Sequence, residues 1–220
     1  MAKVRSYKLL CPIARALDRI GDRWTLLILR DLHAGPARFS DLQHGLTGIA
    51  ANLLTDRLNK LTADGLISKN AGAHGTTLYS LTETGRKTRG ILFDLALFGG
   101  LFTPEAEVVE PGNMRTIAVT LGTACQRAIT ADTDVEVQFV INGEPFALVA
   151  RDGRALMQAG QAAVPDVVLE ASYEALLSVS EGEISMVQFA RDHARIAVNT
   201  PGKEVELMQL MSAAIAVFSQ

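Results

Sequence analysis

Cysteine, aromatic residues and long apolar runs are all scarce in this 220-residue chain. Two cysteines, Cys11 and Cys125, are too few for a disulfide framework. The longest apolar stretch, Ile91 to Phe102, is interrupted by Asp94 and is too short to span a bilayer. Lys3, Arg5 and Lys8 are followed by neither a signal-peptide apolar core nor a small-residue cleavage site. The four histidines, His33, His44, His74 and His193, share no metal-ligand spacing with one another or with the cysteines. There is no glycine-rich phosphate loop and no nucleophile elbow, and Asp192-His193 lacks an evident nucleophile. The expectation is a cytoplasmic, non-enzymatic protein that uses no metal or cofactor and no membrane.

What is present is an ordinary globular balance, 48% hydrophobic and 20% charged, enough apolar surface to offset the entropy of ordering. The formal net charge of −3 hides an asymmetry. Residues 1–100 carry 14 Lys+Arg against 8 Asp+Glu, whereas residues 101–220 carry 7 against 16. A basic half joined to an acidic half suggests that only the first meets a polyanion. The sign changes at Thr103 to Asn113, which holds two prolines and three glutamates with little apolar period. It reads as a linker between a domain at 1–102 and another at 114–220.

In the first half, Cys11-Pro12 opens a helix with proline where a missing N–H costs nothing, and Ile13, Leu17 and Ile20 recur at helical spacing. Asp22 can cap a second helix carrying Trp24, Leu27, Ile28 and Leu32, ended by Gly35-Pro36. Ser40-Asp41-Leu42-Gln43 has the form of a capping box, placing a third helix from Asp41. A fourth runs from about Ala50 to Ala63 with Leu54, Leu58 and Leu61 inward, and Gly65 sits at its cap. A strand at Leu66 to Lys69, a glycine-rich tip and a return strand at Thr77 to Leu81 follow. Thr82 then caps a long helix reaching about Phe98. This order of helices and hairpin is that of a winged helix-turn-helix. One helix fits the major groove of B-form DNA, and a thin hairpin reaches the adjacent groove or backbone.

On a helical wheel the leucine seam leaves Asn52, Thr55, Asp56, Asn59 and Lys60 pointing away, with Arg57 at the edge. These amide, hydroxyl and cationic groups suit base edges and phosphates, although any solvated helix face carries the same types. Asp56 would repel phosphate. Arg38 and Ser40 near the third helix, Lys69 on the hairpin and His74 at its tip complete the candidate contacts with double-stranded DNA.

The run from Cys11 to Leu32, with Gly35-Pro36, Arg38 to Leu42, Asn52 to Leu58, Asp64 to Ile67 and Tyr79 to Gly85, closely resembles the HxlR family of bacterial transcription regulators. The resemblance spans roughly residues 8–100. It implies a nucleoid-associated homodimer, paired through N-terminal and post-wing helices, on an operator of twofold symmetry. Many relatives begin the reading helix with Ser-Pro where this chain has Ala50-Ala51, so its operator preference is its own. Cys11 has two readings: a thiolate favoured by the helix dipole beside Lys8 and Arg15, the redox-sensor position of some relatives, or a small buried hydrophobe at a dimer interface.

In the second half, Met114 to Ile129 has helical period. Val135, Val137, Phe139 and Ile141 alternate as a half-buried strand, and Asn142-Gly143 and Asp152-Gly153 are hairpin signals. Further strands fall at Arg154 to Gln158, Val167 to Ala171 and Ile196 to Val198. Helices fall after Ser172, near Met186 to Arg191 and beyond Pro201-Gly202. The layout is α+β, an antiparallel sheet covered by helices. Phe139 to Gly143, Phe146, Asp152-Gly153, Pro165 to Leu169, Glu174 to Leu177 and Arg195 to Val198 resemble the sterol carrier protein type 2-like fold. That resemblance implies an apolar effector, such as a fatty-acyl chain, held between sheet and helices. Phe139, Phe146, Met157, Met186, Phe189, Met208 and Met211 are the candidate lining, methionine adapting to varied shapes; the same residues at these spacings also simply fill cores. Two other functions stand beside a ligand-sensing regulator: an apolar-ligand carrier, and a regulator whose second domain only dimerises or stabilises.

Overall fold

The structure, a computed structural model, describes residues 6–102 and 113–219, apart from the side chains of His74 and Ser219. The proposed linker therefore lies almost wholly outside the described residues. Chain contacts divide the protein into two compact units, Met1–Thr88 and Arg89–Gln220.

In the first unit α1 (Pro12–Ile20), α2 (Thr25–His33), β1 (Ala37–Arg38), α3 (Phe39–Gly45) and α4 (Ala51–Ala63) precede β2 (Ile67–Ala71), β3 (Thr77–Leu81) and α5 (Glu83–Arg86). The three strands form an antiparallel sheet in the order β1-β3-β2. Ile28, Leu29, Leu42, Leu54, Leu58, Leu61 and Ile67 lie wholly inside. Asp22 opens α2 by accepting hydrogen bonds from the Trp24 and Thr25 amides at 3.3 and 3.1 Å. The cap of α3 differs from the expected Ser40 box. Its Asp41 carboxylate reaches back to the Arg38 amide at 2.9 Å, so the helix begins two residues earlier, at Phe39.

The long helix expected from Thr82 to Phe98 is broken. Thr82 caps α5 by accepting from the Gly85 amide at 3.1 Å, and α6 (Thr88–Gly99) starts anew after Lys87. A β-carbon on Gly85 would meet the Leu66 carbonyl oxygen at 2.0 Å, so only glycine lets this turn press against the chain ahead of β2. Thr88 then donates its hydroxyl to the Gly85 carbonyl at 2.6 Å. That hydroxyl has one proton. The buried His33, whose Nε2 lies 3.0 Å away, must therefore be the donor to it.

From Arg89 onward α6 belongs to the second unit. Phe93 is wholly buried, with the Arg127 guanidinium 4.4 Å from its ring centre and Phe218 5.5 Å away; Asp94 pairs with Arg127 at 2.7 Å. The unit continues with α7 (Thr116–Ala128), β4 (Val135–Ile141), β5 (Glu144–Arg151), β6 (Arg154–Ala159) and β7 (Val167–Ala171). It ends with α8 (Tyr173–Ser180), α9 (Met186–Gln188) running into a wide turn to His193, β8 (Ala194–Val198) and α10 (Lys203–Ala216). Both hairpins turn through positive φ, 48° and 82° at Asn142-Gly143 and 52° and 68° at Asp152-Gly153, the mirror-image turn that matches strand twist. Helices α7 and α10 pack on the sheet, and Gly122 lets α7 approach closely: a β-carbon there would meet Met157 Cβ at 2.8 Å.

The sheet order is β6-β5-β4-β7-β8, and it is mixed, where an antiparallel sheet was expected. β4 and β7 run parallel. After β6 the chain must return along the sheet before β7, and it does so in residues 160–166, with no helix. The crossover lies on β4, where the Gln138 carboxamide accepts from the Ala162 amide at 2.7 Å. There the Glu136 carboxylate accepts from the amides of Ala163 and Val164 at 2.7 and 3.0 Å. Both polar side chains are thereby buried, and β4 is covered on both faces rather than half-buried.

Candidate nucleic-acid interface

Helix α4 is the centre of the candidate interface. Its leucine seam is sealed: Leu54, Leu58 and Leu61 are at most 1% exposed. Opposite it, Asn52, Thr55, Asp56 and Asn59 are exposed. Thr55 donates its hydroxyl to the Ala51 carbonyl at 2.9 Å, a local bond that leaves the oxygen's acceptor capacity open. The hairpin is tied to this face, because Lys69 Nζ donates to Asn59 Oδ1 at 3.1 Å while lying 5.7 Å from the Tyr79 ring centre. Arg38 and Ser40 are exposed around the start of α3. The candidate at His74 falls outside the described side chains.

Arg57 and Lys60 do not join that face. Arg57 Nε sits 2.9 Å from Asp22 Oδ1, both side chains mostly buried. Lys60 Nζ donates to the Asp18 carbonyl at 2.9 Å. One turn on, Asp64 at the end of α4 pairs with Arg19 at 2.6 Å. The physical reason is the width of the buried arc. Arg57 and Lys60 stand ~60° and ~120° round from the seam, on the flank that faces the end of α1. The leucines reveal the core but not a neighbour at the side. α1 and α4 border an open groove of about 1480 Å³ in which Arg15, Arg19, Arg57 and Lys60 alternate with Asp18, Asp22, Asp56 and Asp64. Arg23 is exposed just ahead of α2, with its guanidinium 5.5 Å from the Trp24 ring centre.

In the second unit Phe139, Phe146, Met157, Phe189 and Met211 are wholly buried, whereas Met186 and Met208 are partly exposed. A separate cleft of about 380 Å³ is lined by polar residues instead, among them Asn142, Ser172, Asp192, His193 and Arg195. Asp192 is held below the usual carboxylate range by its hydrogen bond to Arg191. Among the described residues no group of three or more His, Cys, Asp or Glu side chains could hold a metal ion. No described helix is long and apolar enough to cross a membrane.

Comparison with known proteins places the N-terminal part of the chain. Residues 19–107 match the model of the HxlR-like helix-turn-helix. An HTH-type transcriptional regulator of Bacillus subtilis, YkvN, is 31% identical over 112 residues, covering 47% of this chain and 95% of that protein. The chain belongs to the HxlR-like helix-turn-helix family. A second relative, the HTH-type transcriptional regulator Mb3122 of Mycobacterium bovis, is 37% identical over 100 residues. That match covers 43% of this chain and 61% of the relative. Among solved structures, the redox regulator HypR in its oxidized form is 28% identical, with 43% of this chain and all of that one aligned at a TM-score of 0.41. The HxlR-like match stops at residue 107, short of α7 and the second sheet.

Proposed function

We propose that the protein is a sequence-specific, DNA-binding transcriptional regulator that lays α4 in the major groove of an operator. The observation that carries this reading is the division of α4 into a sealed leucine seam and an open face of Asn52, Thr55 and Asn59, the last braced by Lys69 of the hairpin. Amides read adenine edges, and the exposed Arg38 and Ser40 are suited to phosphates. Homodimerisation is supported by apolar side chains that stay largely exposed among the described residues. Leu10 and Ile13 at α1 are 98% and 71% exposed, and Phe98 on α6 is 59% exposed. The acidic second unit is read as a sterol-carrier-like sensor of an apolar effector, supported by its helix-covered sheet and by Met186 and Met208 at the margin of its core. The test is fluorescence anisotropy on the DNA upstream of the protein's own gene. Affinity is expected to fall steeply with added salt, and Asn52→Ala to cost roughly tenfold on the matched operator while sparing non-specific binding. Equal losses on matched and scrambled DNA would contradict this assignment of the reading face.

A further inference from the structure

Three links join α4 to the end of α1, and two of them use a cation that a DNA-reading helix would otherwise offer to phosphate. Helix α1 ends with carbonyls that have no partner of their own. The Leu17 carbonyl is taken by the Gly21 amide, and the Asp18 carbonyl is taken by Lys60 at 2.9 Å. The Asp18 carboxylate meanwhile accepts from the Ser6 hydroxyl and the Tyr7 amide, fixing the segment that leads into α1. Two residues past the helix, Asp22 holds Arg57 at 2.9 Å and caps α2 with the same carboxylate. Arg19 closes the row on Asp64, the cap residue of α4. The contacts follow α4 from Arg57 through Lys60 to Asp64, about two turns of helix along one flank.

We propose that Arg57 and Lys60 are positioning residues: they set operator affinity by locking the pitch of α4 against the C-terminal end of α1, and they do not touch the DNA. The inference rests on the reading of α4 as the DNA-reading helix and specifies how that helix is held. Its consequence is mechanical. Anything that shifts α1, which bears the exposed Ile13 and follows the exposed Leu10 and Cys11, moves the reading face through these links.

Direct contact and positioning predict opposite signs. The probe is Asp22→Asn, which keeps an oxygen to cap α2 but removes the charge that holds Arg57. If Arg57 met phosphate, freeing it would leave affinity unchanged or raise it. As a positioning residue its release should lower affinity, by about fivefold. Arg57→Met and Lys60→Met are compared by the slope of affinity against salt. Loss of a phosphate contact lowers that slope by about one, whereas mispositioning lowers affinity at every salt concentration with the slope intact. Asp22→Asn with Arg57→Met should be no weaker than either alone. Far-ultraviolet circular dichroism melts run on each variant separate a shifted helix from an unfolded one, and Arg57→Lys, which restores the charge, should recover part of the loss. A slope lowered by one in Arg57→Met or Lys60→Met, or unchanged or tighter binding by Asp22→Asn, overturns the inference and leaves the DNA reading standing. Wild-type affinity that ignores salt overturns both.

Discussion

At the scale of single residues, the two cysteines divide by burial. Cys125 lies on the inner side of α7 with no exposed surface, and that burial pushes its thiol up to about 12. It is unreactive at neutral pH. Cys11 is exposed one residue ahead of Pro12, at the N-cap of α1. A maleimide added to the native protein should label one thiol per chain, Cys11, and a second only after denaturation, as counted by intact mass. If no thiol reacts in the native protein, Cys11 is covered in the dimer and the sensor reading fails. Arg57 and Lys60 show the limit of residue-level reading. Their types were right for phosphate and their wheel positions left them outside the seam, yet a carbonyl of α1 and the charge of Asp22 were nearer than any solvent-facing direction.

At the scale of elements, local chemistry was legible and long-range pairing was not. Asn142-Gly143 and Asp152-Gly153 specify their turns through positive φ, and Ser172 and Thr82 announce the helices they cap. The seam of α4, the hairpin and the strands of the second sheet could all be read from period alone. The parallel pairing of β7 with β4 could not, because a seven-residue coil returning across a strand has no periodic signal. Nor could the burial of Glu136 and Gln138, since alternation marks a polar residue as outward-facing and says nothing of what later lies over it. The crossover does leave a titratable mark. Asp166 ends it, accepting from the Glu136 amide at 2.9 Å while its own amide donates to the Glu136 carbonyl. Burial opposes its charge, but the Glu136 amide, the Thr200 hydroxyl, Lys203 and Arg151 outweigh it and hold its pKa below the ordinary 3.8. A carboxylate depressed on folding adds stability above its unfolded pKa and loses it as pH falls through the folded one. Chemical-denaturation midpoints of the wild-type chain should therefore drop relative to Asp166→Asn as pH falls below about 4, and the two should converge in acid. A gap that stays constant between neutral and acid pH would show that Asp166 contributes no charge-dependent stability.

At the scale of the whole molecule, the question is whether the second unit reports to the first. The chain couples a basic segment that offers α4 to an acidic one that offers a helix-covered sheet, so the two have no common polyanionic partner. If the second unit is an effector sensor, the two ligands are linked by one free energy: an apolar effector that changes operator affinity by some factor must have its own affinity changed by operator DNA by that same factor. If the unit only dimerises or stabilises, the factor is one in both directions. The measurement is a pair of titrations on the full chain. One titrates operator by anisotropy with and without saturating palmitate; the other titrates palmitate by calorimetry with and without saturating operator. A sensor is expected to give matching factors of at least about five, the low end of ordinary coupling. Binding of palmitate with a factor of one in both directions identifies a carrier or storage role for the sheet and removes the sensor. Unequal factors would mean that the two titrations report different oligomeric states, because reciprocity is a property of the equilibrium and not of the mechanism.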